Sequence, residues 1–208
     1  VEKDGAGTVR KDSAETWQVE LVAKPFRAFN IASEVTVNEG GASATTRVER
    51  GFDSFGNQAM LKDFGRKDVP GDERLTASHF EPNLSGYILD KPTHLSVWNG
   101  HDHLQPQASI DYFLYDNQPH NSAPVKGDLS QKIRFRQLSP TEIRSTESFE
   151  YDAFGNQTAA IDGIGRRTLT IYDAAHNLFP VEVRSPLFAT DNRHKTNAVY
   201  NMVCGAPS

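Results

Sequence analysis

The stretch Tyr151-Asp152-Ala153-Phe154-Gly155-Asn156 recurs as Tyr172-Asp173-Ala174-Ala175-His176-Asn177, 21 residues further along the chain (151 to 172). Each copy places an aromatic residue and an aspartate before two linker residues, a turn-forming residue and an asparagine. Glycine allows a positive φ and asparagine tolerates the left-handed region, so both copies are typical of tight turns. Between them, Arg167–Tyr172 alternates with a period of two and is rich in β-branched residues, which predicts a strand. One unit of the pattern is therefore predicted to be a β-hairpin.

A third copy of the pattern lies upstream. Phe52-Asp53-Ser54-Phe55-Gly56-Asn57 aligns with residues 151–156 at an offset of 99 residues (52 to 151), and Tyr115-Asp116-Asn117 is interpreted as a decayed fourth copy. Self-similarity at about 20 residues indicates a repeat architecture. The alternative is coincidence, because Asp, Gly and Asn cluster in the turns of any all-β protein.

The recurring positions are predicted to have a structural role. The aromatic residues would pack between strands, the aspartates would accept hydrogen bonds from turn amides, and the glycine, histidine and asparagine residues would set the turns. These structural positions are Phe52, Asp53, Gly56, Asn57, Tyr151, Asp152, Gly155, Asn156, Tyr172, Asp173 and Asn177.

Tyr-Asp-x-x-Gly-Asn at intervals of about 21 residues resembles the RHS or YD-repeat family. Residues 172–183, and 80–83 leading to 87–92, are similar to the central part of the B component of bacterial insecticidal toxin complexes and related virulence proteins. The clearest repeats span 50–66 and 149–184. The resemblance implies that residues 1–208 form a single repeat region, which is a fragment of a larger protein.

The resemblance implies an all-β fold of consecutive antiparallel hairpins in a twisted sheet, forming a section of a hollow β-shell. In this family the shell encloses a toxic polypeptide, so the implied mechanism is containment rather than chemistry. The implied partners are other repeats of the same or a partner toxin subunit and the enclosed polypeptide. The implied location is secreted or at the bacterial cell surface.

Composition and charge argue against several classes of partner. The chain has 208 residues and a formal net charge of −5, which disfavours nucleic acid and anionic membrane surfaces. No apolar run approaches the ~18 residues of a membrane span, so none is predicted. The chain begins at Val1 without a basic-then-apolar leader, and no signal peptide is expected. Cys204 is the single cysteine, so disulfides are not expected to stabilise the fold.

His101-Asp102-His103 is a weak candidate for a metal site. Residues two apart share one face of a strand, so His101 and His103 could reach one ion. A third ligand such as His94 or His120 would be needed, and Gly100 suggests a solvated loop instead. No metal or other cofactor is assigned, and a metal-dependent enzyme is kept only as an alternative.

No catalytic motif is found, and the protein is not expected to be an enzyme. The chain has no Gly-x-Ser-x-Gly elbow and no phosphate-binding glycine loop. Some members of the family carry a self-cleaving segment with an Asp-Pro signature, and the absence of that dipeptide here puts self-cleavage in doubt. Trp17 and Trp98 offer a further alternative, a carbohydrate-binding surface, against ordinary cross-strand packing.

The remaining patterns predict short strands, little helix and one long loop. No window offers a sustained helical stripe with caps. Asp116–Leu129 contains two prolines and a glycine, which predicts a loop insertion between repeats. Residues 1–13 are expected to be mobile or a leftover strand. Because neither end carries a guarded edge strand, at least one sheet edge is expected to be open. The next repeat would cover this edge in the parent protein, and another copy or the loop would cover it in isolation.

Overall fold

The computed structural model describes residues 1–22, 26–137, 141–201 and 205–207. Within these ranges the chain forms β-strands and one short 3-10 helix, and it contains no α-helix. The predicted all-β fold with little helix is confirmed. Among the described residues, no helix has the length and apolarity needed to cross a membrane. Cys204 lies outside the described residues.

The chain divides into two compact units. The first comprises Val1–Glu81 and Leu89–Asp111, and the second comprises Pro82–Ile88 and Tyr112–Ser208. The single repeat region expected for residues 1–208 stays a prediction.

The strands follow one another as antiparallel neighbours. The strand order in the sheet is the order of the sequence from the first strand to the fourteenth, so the predicted succession of antiparallel hairpins is confirmed. The strands that begin in the first unit are β1 (Glu2–Lys3), β2 (Val9–Glu20), β3 (Arg27–Glu39), β4 (Ala42–Phe52), β5 (Gln58–Arg66), β6 (Arg74–Phe80), β7 (Pro92–Asn99) and β8 (Gln107–Tyr115).

The second unit continues the same pattern. Its remaining elements are β9 (Leu129–Gln137), β10 (Ile143–Tyr151), β11 (Gln157–Ile161), β12 (Arg167–Tyr172), β13 (Pro180–Arg184), the 3-10 helix Pro186–Ala189, β14 (Lys195–Asn197), β15 (Tyr200–Asn201) and β16 (Ala206–Pro207). The last two strands form a separate two-stranded sheet.

The buried core of each unit is small. In the first unit Leu75 is 6% exposed and Thr93 is 1% exposed. In the second unit Tyr115, Phe135 and Ala159 are buried. Many large apolar side chains stay more than one third exposed in both units, because one sheet layer cannot cover its own apolar face. Lateral strand pairing and the turns therefore carry a large part of the stabilisation.

One edge of the sheet is open, as predicted. Strand β1 pairs with β2 only through Glu2 with Lys11 and Lys3 with Val9. On that side, Asp12–Glu20 has no strand partner among the described residues, whereas its other side pairs fully with β3. The predicted cover by a second copy or by the Asp116–Leu129 loop stays a prediction. For residues 1–13 the strand alternative is confirmed, since β1 and the start of β2 lie there.

Candidate functional site

Turns of the pattern Asp-x-x-Gly-x are the recurring local structure of the described residues. They begin at Asp4, Asp53, Asp152 and Asp162. In each turn the aspartate N–H donates to the carbonyl oxygen four residues later at 2.9–3.0 Å, and the glycine N–H donates to the aspartate carbonyl oxygen at 2.9–3.3 Å. The glycine φ angles lie between +82° and +93°, a region in which a side chain is strained. One sequence pattern therefore produces one backbone geometry four times in the described ranges.

The aspartate carboxylate closes each of these turns. Its Oδ1 accepts the N–H groups two and four residues later, at 2.8–3.1 Å. Hydrogen bonds to the ionised form lower the pKa of a carboxyl group. The side-chain amide of Asn156 and then its backbone N–H hold the pKa of Asp152 below its usual value, against an opposing effect of burial. The backbone N–H of Arg166 is the largest cause of the lowered pKa of Asp162.

The asparagine that ends the pattern links one turn to another. In the second unit, Asn156 Nδ2 donates to Asp152 Oδ2 at 3.0 Å and to the carbonyl oxygen of Asn177 at 2.6 Å. Asn156 and Asn177 are 21 residues apart, which is the spacing of the sequence repeat. The side-chain amide thus uses its two N–H groups to hold its own turn and the next turn on the same side of the sheet.

The first unit repeats this arrangement. Asn57 Nδ2 donates to Asp53 Oδ2 at 2.9 Å and to the carbonyl oxygen of Leu89 at 2.7 Å. Leu89 lies just before β7, so the bond again joins the turn after β4 to the segment that enters the next hairpin on that side. In both units the asparagine amide therefore bonds both to the aspartate of its own turn and to a carbonyl oxygen further along the chain.

A β-bulge lies at the aromatic position before each repeat turn. The register shifts between Gly51 and Phe52, between Glu150 and Tyr151, and between Ile171 and Tyr172. In the pair β4–β5, for example, Gly51 faces Met60 and Phe52 faces Gln58. The following strand therefore carries one extra residue, which strengthens the local twist at the end of the strand.

The aromatic residues make different contacts in the three copies. The Phe52 ring stacks on Phe29 with centroids 4.6 Å apart. The Tyr172 hydroxyl donates to the carbonyl oxygen of Gln157 at 3.3 Å. Burial, followed by the negative charge of Asp128, raises the pKa of Tyr151.

The copy at Tyr172 forms a wider turn than its sequence suggests. The Asp173 N–H donates to the carbonyl oxygen of Phe179, six residues later. Its carboxylate accepts the N–H groups of Phe179 at 2.9 Å, Leu178 at 3.0 Å and His176 at 2.7 Å. The N–H of Phe179 is the largest cause of the strongly lowered pKa of Asp173. Asn177 lies one residue after the position that glycine has in the other copies, and it adopts the left-handed conformation with φ +53°.

Asp116 performs the same task over a longer loop. Its N–H donates to the carbonyl oxygen of Asp128 at 2.7 Å. Its carboxylate accepts the N–H groups of residues 125–128 at 2.7–3.1 Å. Burial raises the pKa of Asp116, but these amides, Gly127 first, outweigh it and the net pKa is lowered. In the segment interpreted as a decayed fourth copy, the aspartate carboxylate still accepts backbone N–H groups. The predicted loop insertion follows between β8 and β9.

The turn at Asp4 was missed by the sequence analysis. No aromatic residue precedes it, because Lys3 stands where the other copies have Phe or Tyr. The signal that could have found it is Asp4-Gly5-Ala6-Gly7, which matches Asp-x-x-Gly. The backbone N–H of Thr8 is the largest cause of the lowered pKa of Asp4.

The weak metal candidates lie in an exposed loop after β7. His101 and His103 are both exposed, and His101 Nε2 lies 3.7 Å from Asp102 Oδ2. No group of three potential ligand residues occurs among the described residues. The two tryptophans differ in setting: Trp17 is 54% exposed on β2, whereas Trp98 is half-buried and faces Leu75 across β6 and β7.

The fold is similar to solved structures of toxin-complex proteins. TcdB2-TccC3-TEV aligns with a TM-score of 0.65 at 11% identity, covering 99% of this chain and 14% of that chain. TcdB2-TccC3-Cdc42 aligns with a TM-score of 0.62 at 12% identity and the same coverage. The Photorhabdus luminescens Tc holotoxin pore aligns with a TM-score of 0.53 at 9% identity, covering 99% of this chain and 15% of that chain.

These likenesses show that the chain shares with the toxin-complex structures the predicted fold of consecutive antiparallel strands. This chain spans only 14–15% of the length of the chains it matches. No protein-family model matches the sequence, and no curated protein gives a significant match.

Replacing Gly155 tests the turn geometry. We expect Gly155→Val to destabilise the protein by about 1–3 kcal/mol, because φ is +85° there and a β-branched residue is strained in that region. Space is not the cause, since an added Cβ would come no closer than 3.9 Å to Asp128 Oδ1. Gly155→Asn is the matched control, because Asn tolerates positive φ, and it should cost much less in thermal unfolding. Equal melting temperatures for the two variants would refute the assignment.

Replacing Asn156 tests the link between turns. Asn156→Ala removes the bonds to Asp152 and to the Asn177 carbonyl oxygen, and we expect a loss of about 1–2 kcal/mol. Asn156→Asp keeps the shape but places a carboxylate beside an acceptor and should cost at least as much. Gln157→Ala, at the exposed neighbouring position, is the control and should stay within about 0.5 kcal/mol. A chemical denaturation midpoint for Asn156→Asp equal to that of the control would exclude the proposed link.

The turn carboxylates predict loss of stability in acid. The folded pKa values of Asp152, Asp162 and Asp173 lie below the usual aspartate value, so their stabilisation is present above about pH 4–5 and is lost as the pH falls through the folded pKa. We expect the melting temperature to fall from pH 5 towards pH 2. Asp173→Asn should melt lower at pH 7 and show a shallower fall. Asp12→Asn, which removes a carboxylate that accepts no hydrogen bond from the described residues, is the control. A wild-type slope in Asp173→Asn would contradict the assignment.

Proposed function

We propose that this chain is a structural section of an RHS-type β-shell in a bacterial toxin-complex protein, and that the shell encloses a toxic polypeptide. The observation that carries the proposal is the Asn156 side-chain amide, which joins two turns at the repeat spacing of 21 residues. That bond makes each hairpin depend on the next, as a continuous wall requires. The fold of the toxin-complex structures supports the same assignment.

The chemistry of the turns favours a structural role over catalysis. The carboxylates of Asp152 and Asp173 accept hydrogen bonds from backbone N–H groups of their own turns. A carboxylate held in this way is ionised and has little capacity left to act as an acid or base. The most regularly repeated polar groups of the chain are thus used to fix its backbone. We propose that the protein is not an enzyme and that its mechanism is containment.

The thin core of each unit suggests how such a wall would be completed. Exposed apolar side chains such as Phe154 and Ile164 lie in turns of the second unit. Neighbouring repeats of the same or a partner subunit, and the enclosed polypeptide, are the partners that would cover such groups. A secreted or cell-surface location accompanies this proposal.

Protease protection in the complete parent protein tests the proposal. The parent protein should shield its enclosed polypeptide, so that a protease cleaves that polypeptide at least about a hundredfold more slowly than when it is expressed alone. The Asn156→Asp variant of the parent should lose part of this protection, while Gln157→Ala should keep it. Equal cleavage of the free polypeptide and the parent, or a particle without a lumen by electron microscopy, would overturn the proposal.

A further inference from the structure

A cleft of about 500 Å³ lies on one face of the sheet in the second unit. It extends from β10 across β11 and β12 to the start of the 3-10 helix, which follows β13. Three spacings between neighbouring strands separate β10 from β13, which gives the cleft a length of about 14 Å. A concave, largely apolar site of this size with a few polar groups is typical of ligand-binding sites in proteins.

The strand register explains why the sheet is hollow at this place. Phe149 pairs with Ala160, and Ala160 pairs with Thr168. Extending the register of β12 and β13 by one residue places Ser185 beside Thr168. Directly paired residues share one face of a sheet, so the small side chains of Ala160 and Thr168 lie between the ring of Phe149 and the start of the helix. These small side chains form the floor of the cleft, and Phe149 forms one wall.

The 3-10 helix forms the opposite wall of the cleft. Pro186 and Leu187 line it, and Leu187 is 56% exposed. An apolar side chain of a ligand that rests on the floor would also contact this leucine, and burial of apolar area is the main source of binding free energy.

Ser185 provides a hydroxyl group at the helical end of the cleft. A serine that precedes a helix usually accepts a hydrogen bond from a backbone N–H of the first turn, but Ser185 makes no such bond to the described helix. Its Oγ is buried and has no hydrogen-bond partner among the described residues. Because Ser185 lines the cleft, rotation about its Cα–Cβ bond would bring this hydroxyl to a ligand.

The carboxylate of Glu147 lies at the other end of the cleft. Glu147 is exposed and comes two residues before Phe149, on the same face of β10. It makes neither an ion pair nor a hydrogen bond with any residue that the structure describes. Lys132 is opposite Glu147 in the β9–β10 pair, but its ammonium lies over the ring of Phe113, 5.6 Å from the centroid.

The other charged residues that line the cleft neutralise each other. Arg166 Nε lies 2.7 Å from Asp162 Oδ2, and Asp162 Oδ1 accepts the N–H groups of its own turn. The net charge that a ligand meets is therefore the negative charge of Glu147. This charge favours a cationic group at the β10 end of the cleft and disfavours an anion.

We propose that this cleft binds an extended segment of a polypeptide in which a lysine or arginine is followed, two residues later, by a bulky apolar residue. About four extended residues span 14 Å, and their side chains point alternately towards the floor and away from it. The basic side chain pairs with Glu147, the apolar side chain lies over Ala160, and a backbone group bonds to Ser185. The proposal rests on the proposed function only in taking the enclosed polypeptide as the source of the segment.

Titration of the full chain with short peptides, followed by nuclear magnetic resonance, tests the proposal. The probe is Ser-Lys-Ser-Leu-Ser with blocked ends, and the matched peptide carries glutamate in place of lysine. We expect the lysine peptide to bind about fivefold or more tightly at low salt, with the ratio falling towards one at about 0.5 M salt. The backbone amide signals that move should belong to the cleft, at residues 147–149, 160, 168 and 185–187.

Two isosteric variants separate the cleft from general charge attraction. Glu147→Gln should bring the two peptides to equal affinity. Glu142→Gln removes an exposed carboxylate just before β10, outside the cleft, and should keep the preference for lysine. A third peptide with serine in place of leucine keeps its lysine but should bind about threefold or more weakly than the probe, because it buries less apolar area.

The outcomes that overturn the proposal differ from failure of the shell. Equal binding of the lysine and glutamate peptides, an unchanged preference in Glu147→Gln, or signal changes outside the cleft would each overturn it. Self-association that moves the same amide signals without peptide would make a second copy the occupant and would also overturn it. None of these results depends on whether the parent protein protects its enclosed polypeptide from a protease.

Discussion

The hydrogen bonds from turn amides to a single aspartate carboxylate are the interaction on which the rest of this structure depends. In the turn at Asp152, Oδ1 accepts the N–H groups of Phe154 and Asn156, and both groups would otherwise be left without a partner at the end of a hairpin. Because this carboxylate closes the turn within five residues, the next strand must start at Gln157 and pair in one register. The register then decides which side chains reach each face.

The asparagine amide extends this local order along the sheet. A sheet with one layer in each unit buries few side chains, so it lacks the shared core that makes most domains cooperative. Bonds from Asn57 to Leu89 and from Asn156 to Asn177 provide a different coupling, from one turn to the next on the same side of the sheet. Each such bond is modest in free energy, but it repeats with the hairpins and so grows with the number of repeats.

The sequence was sufficient to predict what depends on local chemistry. The hairpins and the tight turns at Gly56 and Gly155 follow from period-two alternation and from glycine before asparagine. The acceptor of the Asn156 amide could not be predicted, because it belongs to a turn 21 residues away and is set by strand pairing. The wide turn at Asp173 could not be predicted either, because the sequence does not show how many residues one carboxylate can bridge. The Asp4 turn was not predicted because a copy of the repeat was identified by an aromatic residue before the aspartate.

The carboxylates of this acidic chain fall into two groups. The chain has 27 acidic and 22 basic residues, so net charge alone attracts any cation weakly. The turn carboxylates of Asp152 and Asp173 are already surrounded by N–H groups of their own backbone. Asp12 and Glu20 accept no such bonds from the described residues, and they lie beside unpaired backbone groups. The repeated turn carboxylates therefore serve to fix the backbone, whereas Asp12 and Glu20 stay exposed on β2.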